Sequence, residues 1–84
     1  MLFAKYTRPN AGYSYDRERC KNLLKLDCYY VVNDVFMGSC YTDIALKGFN
    51  GTFNSVNFTF YVKDSKGIFK EHDIFNDPKY NPYL

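Results

Sequence analysis

The chain has 84 residues, enough for one domain, and at this length folding hides only about 60–65% of the surface that the unfolded chain exposes. Nine Tyr and eight Phe, with no Trp, are more rings than so small a core can hold, so several tyrosines are expected at the surface. A formal net charge of +2 is too small to point to a polyanion by itself, and no apolar run approaches membrane-spanning length, so no membrane partner is expected.

Taken in order, Leu2, Ala4 and Tyr6 alternate with Phe3, Lys5 and Thr7. This predicts a first strand, ended by Pro9, which lacks the N–H that a ladder needs. Pro9-Asn10-Ala11-Gly12 is a turn cluster, and Tyr13 and Tyr15 are expected in an irregular loop behind it. Asp16–Leu26 is the one helical candidate. Asp16 serves as its N-cap, Arg19 rather than Glu or Gln stands three residues on, so no capping box is expected, and Cys20, Leu23 and Leu24 share a face.

The segment from Cys28 to Met37 is rich in strand formers, interrupted by Asn33-Asp34. A bulge there would bring Tyr30, Val32 and Val35 to one side. After the Gly38-Ser39 turn, Thr42, Ile44 and Leu46 alternate with Tyr41, Asp43 and Ala45. Gly48, Asn50 and Gly51 then supply a tight reversal, and the strand that follows puts Val56, Phe58, Phe60 and Val62 on its buried face and Asn57, Thr59, Tyr61 and Lys63 on the other. Asp64-Ser65-Lys66-Gly67 is a hairpin loop with Gly67 at the left-handed position, and Ile68–Phe75 returns as a last strand. Asp77-Pro78 and Asn81-Pro82 exclude regular structure in the tail, residues 76–84, which is expected to be extended and either lies loose or covers the core. The expectation is a single, mainly β domain over residues 1–84: a small antiparallel barrel or curved sheet of five to six strands with one short helical segment near residues 16–26.

Little in the chain asks for catalysis. The single His72 lies between Glu71 and Asp73, but neighbours on a strand point to opposite faces, so neither carboxylate would orient the ring. Cys20, Cys28 and Cys40 are spaced by eight and twelve, which fits neither a disulfide framework nor a zinc site, and with no signal peptide in view they are expected as free thiols in a reducing, intracellular setting. Cys20, flanked by Arg19 and Lys21, has the only positive setting of the three, while its phase with Leu23 and Leu24 marks it as a small core residue. No catalytic, cofactor-binding or metal-ligating set is assigned, and no enzyme is expected.

The pattern Tyr30-x-Val32-x-x-Val35-x-Met37-Gly38-Ser39-x-x-Thr42-x-Ile44-x-Leu46, followed by Phe53-Asn54-Ser55-Val56-x-Phe58-x-Phe60, resembles small bacteriophage and prophage proteins that are mostly uncharacterised and expected to be SH3-like barrels. The resemblance spans a bit under half of the chain. It implies a short turn at Phe53-Asn54-Ser55-Val56 before the last core strand and carries no catalytic residues. Asp27 stands where that pattern often has Gly. The resemblance also implies a cytoplasmic protein of the infected host that binds and blocks a host protein, with defence systems such as CRISPR effectors as the natural target class.

The residues themselves offer two contact surfaces. Tyr13, Tyr15, Arg17 and Arg19, together with Tyr80 and Tyr83 of the tail, are the candidates for protein contact, because surplus Tyr with mixed charge suits an interface. Lys5, Tyr41, Tyr61 and Lys63 are the candidates for a nucleic-acid platform of cations and stacking rings. Exposed tyrosines also fit a homodimer.

Overall fold

The computed structural model describes residues 1–84. Its alternating segments become β1 (Leu2–Tyr6), β2 (Tyr29–Met37), β3 (Thr42–Leu46), β4 (Phe53–Asn54), β5 (Phe58–Lys63) and β6 (Phe69–Glu71), with one helix, α1 (Ser14–Leu23). The strands form one antiparallel sheet in the order β4-β3-β2-β1-β5-β6. No pairing joins β4 to β6, so the sheet is open at both edges.

The bend lies in β2. Its first residues pair with β1, Phe3 opposite Val31, and its later ones pair with β3, Val35 opposite Ile44. Between Val32 and Asp34 the register slips by one residue, as expected from the Asn33-Asp34 interruption. A bulge adds twist and resets which side chains face inward. Here it lets Tyr30, Val32, Val35 and Met37 all pack against the core.

The core itself comes from every part of the chain. Leu2, Ala4 and Tyr6 of β1, and Thr42, Ile44 and Leu46 of β3, are buried in strict alternation, as their sequence predicts. Phe53, Phe58 and Phe60 meet them, with Phe53 and Phe58 packed edge to face at 6.1 Å. Cys20 and Leu24 close the core from the helix side.

The structure corrects the sequence reading at four places. The helix starts at Ser14, so Tyr15 lies in it rather than in a loop, and Tyr13 is the N-cap residue. Asp16 is therefore the third helical residue, and its carboxylate reaches back to accept the Tyr13 N–H at 3.0 Å, the acidic half of a capping box. The helix ends before Leu24, and Leu23 faces solvent, because Cys20 and Leu24, four apart, define the buried stripe.

The third correction is at the entry to β5. Residues Ser55–Asn57 form a 3-10 turn, opened by Asn54, whose side chain accepts the Val56 N–H at 3.2 Å. The turn breaks the period-two phase. Val56 swings out to 41% exposure while Asn57 is fully buried. Asn57 then pins the loop after β1. Its side-chain NH2 donates to the carbonyls of Arg8 (2.8 Å) and Ala11 (3.0 Å), and its backbone carbonyl accepts the N–H groups of Thr7 and Arg8. Fourth, the last strand is short. After Glu71 the chain turns into a 3-10 segment, Ile74–Asn76, capped by Asp73 and anchored by the fully buried Ile74.

Gly67 and Asp27 are among the five loop positions that use the left-handed backbone region. Gly67 does so in the β5–β6 hairpin, where Asp64 accepts the N–H groups of Lys66 and Ile68. Asp27 does so ahead of β2, at φ 63°, and its N–H donates to the Tyr6 carbonyl at 2.7 Å. Aspartate is among the few non-glycine residues that enter this region readily, which is why it can stand there in place of Gly.

Replacing Ile74 by Ala is expected to cost about 2–5 kcal/mol of stability. Replacing Val56 by Ser is expected to change it by less than about 0.5 kcal/mol. Urea unfolding followed by circular dichroism checks both, and a large loss at Val56 would contradict its outward placement.

Candidate functional site

One groove of about 1050 Å³ runs between the start of α1, the β2–β3 turn, the β4–β5 connection and the tail. Each wall has a local cause. On the helix side, the Tyr13 and Tyr15 rings lie nearly parallel, 5.9 Å apart and inclined by 11°. Opposite, the turn closes through the Gly38 N–H, which donates to the Tyr41 carbonyl at 2.8 Å. The Tyr41 ring covers Gly38 so closely that a Cβ there would fall 2.3 Å from a ring carbon, so any side chain at this position would displace the ring. The floor is Thr52 and Asn54–Val56. At the open end, Asn81 donates to the Phe75 carbonyl at 2.7 Å and accepts the Tyr83 N–H at 2.9 Å, which sets Tyr83 at the rim. Tyr13, Tyr15, Tyr41 and Tyr83 are 71%, 69%, 63% and 65% exposed, although all four line this one concavity.

The predicted protein-contact residues divide accordingly. Tyr13, Tyr15, Arg19 and Tyr83 meet in the groove, and Arg17 and Tyr80 do not line it. Arg17, in α1, donates to the Gly12 carbonyl just ahead of the helix. Arg19 is held as a clamp. Its guanidinium donates to the carbonyls of Thr52 (2.9 Å) and Asn50 and lies 4.3 Å from the Phe53 ring centre. Tyr80 packs on the core and against His72. The tail therefore covers part of the core with Tyr80 and leaves Tyr83 exposed.

The other predicted set is split by strand order. Tyr41 cannot share a platform with Tyr61, because β2 and β1 lie between β3 and β5. Lys5, Tyr61 and Lys63 do meet, on the outer face of β1, β5 and β6, and they meet three rings that the sequence reading did not assign there: Phe3, Tyr29 and Phe69. Tyr29 and Phe69 stack at 4.0 Å, the Lys5 ammonium lies 5.3 Å from the Tyr29 ring centre, and Lys63 sits 4.9 Å from that of Phe69. These ring faces are largely occupied by one another and by the two cations. Period-two alternation places Phe3 beside Lys5, but which strands adjoin is a long-range property that no local pattern reveals.

The titratable groups are placed structurally. Burial pushes the Cys20 thiol up to about 11, helped by the Asp16 charge and opposed by Arg19, so the flanking cations do not activate it. Cys28 and Cys40 are exposed and free. His72 has a partner that sequence adjacency hid: its Nε2 lies 2.7 Å from Asp77 Oδ2, reached across the Ile74–Asn76 turn. No group of three or more His, Cys, Asp and Glu side chains gathers where it could hold a metal ion, and no helix is long and apolar enough to cross a membrane.

Comparison with known proteins adds lineage. The family model described as Bacteriophage T4 protein Y07B matches residues 1–84. A relative from Enterobacteria phage T4, described as an uncharacterized 11.2 kDa protein in the segB-ipI intergenic region, is 34% identical over 82 residues, covering 93% of this chain and 84% of that protein. No solved structure matches.

The Lys79 backbone N–H, and then the His72 side chain, hold the Asp77 carboxyl below its ordinary value. A carboxyl lowered in the folded state stabilises the fold above its unfolded pKa and loses that contribution as pH falls through the folded one. Asp77→Asn is therefore expected to lower stability at neutral pH, with the gap to the unaltered chain closing on acidification below the ordinary carboxylate range. Thermal melts of both chains across that range check it, and a gap that persists in acid would contradict it.

Proposed function

The chain belongs to the Bacteriophage T4 protein Y07B family, and on that premise we propose that it is a non-catalytic binding module that occludes a protein of the infected host cell. One observation carries this reading. Four exposed tyrosines, from the helix start, a hairpin turn and the tail, converge on one groove. Tyrosine gives a large contact area with few rotors to freeze and is enriched at protein interfaces. A surface of this kind acts by covering its target and needs neither cofactor nor metal. Host defence effectors, CRISPR effectors among them, are the narrower target class of the proposal. Kinship with SH3-like barrels belongs to it as well, supported by the short turn at Ser55–Asn57 ahead of β5.

A second reading is binding of single-stranded nucleic acid on the outer face. Lys5 and Lys63 beside Tyr29, Tyr61 and Phe69 favour it. Glu71, paired with Tyr61 across β5 and β6, and the mutual stacking of Tyr29 and Phe69 weigh against it, since bases need free ring faces and uncompensated cations.

The test is a tagged pull-down from host lysate with and without nuclease, comparing the unaltered chain with a Tyr15→Ala, Tyr41→Ala double variant. One dominant host protein is expected with the first and a loss of about tenfold or more with the second, because exposed aromatic anchors commonly carry over 1 kcal/mol each. Recovery unchanged in the variant, recovery only of the chain's own copies, or recovery abolished by nuclease would each overturn the groove reading. The last would promote the outer face.

A further inference from the structure

The groove carries an electrostatic feature that narrows what it takes. Of the side chains that line it, only Asp16, Asp43 and Arg19 carry charge. Asp16 is buried and already accepts from Tyr13 and Asn54. Arg19 is committed to the carbonyls of Asn50 and Thr52. Asp43 is different. It sits on β3 opposite Asn54, beside Tyr41, half-buried, and it belongs to neither ion pair of the structure, Lys70–Asp64 and His72–Asp77. No lysine lines the groove.

A half-buried carboxylate without a counter-ion, in a groove that exposed tyrosines also line, selects for one kind of visitor. Tyrosine faces attract cations and the carboxylate supplies two acceptor oxygens, so a flat cation with a donor fork satisfies both at once. An anionic segment would meet unpaired negative charge, and a purely apolar one would leave the carboxylate desolvated and unpartnered. The groove wall already holds one guanidinium in this manner, Arg19 over the Phe53 ring with its donors on carbonyl oxygens. Resting on the protein-docking reading above, we infer that the groove takes an arginine-bearing polypeptide segment, whose guanidinium meets Asp43 and the face of Tyr41.

The probes are three capped pentapeptides of sequence Gly-Ala-X-Ala-Gly, with arginine, its neutral isostere citrulline, or glutamate at X. They are titrated into the full chain and followed by NMR at the Tyr13, Tyr41 and Asp43 signals. The arginine peptide is expected to shift these signals and to bind at least about fivefold more tightly than the citrulline peptide, the size of one exposed cation–π and ion-pair contribution. Asp43→Asn is expected to erase that difference while leaving citrulline binding unchanged. Equal affinity for arginine and citrulline, preference for glutamate, shifts confined to Tyr61 and Lys63, or no shift at millimolar peptide would overturn the inference. The pull-down separates its failure from that of the docking reading. If the host protein is retained through Tyr15 and Tyr41 but the arginine peptide has no advantage, only the choice of cation falls. If the groove variant leaves capture unchanged, both fall.

Discussion

Asp16 Oδ2 accepts two hydrogen bonds, from the Tyr13 N–H at 3.0 Å and from the Asn54 amide at 3.1 Å, and so one oxygen joins the start of the helix to β4 across 38 residues of sequence. The carboxylate is almost wholly shielded from water, where such bonds are at their strongest and an unmet acceptor costs most. Gly12 makes the arrangement sterically feasible. It holds φ at +81°, and a Cβ at that position would come within 3.0 Å of the same Oδ2. A few residues on, Arg19 repeats the linkage with its guanidinium on the Asn50 and Thr52 carbonyls. The helix wall and the floor of the groove, which have no backbone pairing with each other, are held together by these side chains.

The sheet supplies the rest of the frame, and much of it is legible in the residues. β1 and β3 alternate so regularly that their buried faces follow from sequence alone, and Asn33-Asp34 marks the bulge that folds β2 across two neighbours. The misreadings share a cause. Asp16 is a good N-cap residue and also a good third residue of a helix, so composition cannot tell the two apart, and in the third place its carboxylate also accepts from Asn54, far along the chain. Val56 and Asn57 exchange sides because a three-residue turn rotates the backbone out of strand phase, and the buried Asn57 is kept there by carbonyls of the loop after β1. His72 finds Asp77 rather than its own neighbours because the chain turns between them.

The candidate site was legible as composition and not as place. A surplus of tyrosine told that rings would be exposed. It could not tell that Tyr41 belongs with Tyr13 and Tyr15 and not with Tyr61, since that depends on β1 and β2 lying between β3 and β5. The result is a division of labour between the two faces. On the outer face, aromatic rings and lysines are spent on each other and lash β6 and the start of β2 to the middle of the sheet. In the groove the rings are left open, and the one carboxylate among them that lacks a partner is left open too. That contrast is what supports the proposal of host contact at the groove rather than on the outer face.

The most direct measurement is photo-crosslinking inside infected cells, with benzoylphenylalanine in place of Tyr15 or Tyr41 and, as the control, in place of Tyr61. The account predicts a single host-protein adduct from both groove positions and none from the outer face. Adducts from position 61 with the groove positions silent, whether to protein or to nucleic acid, would contradict it.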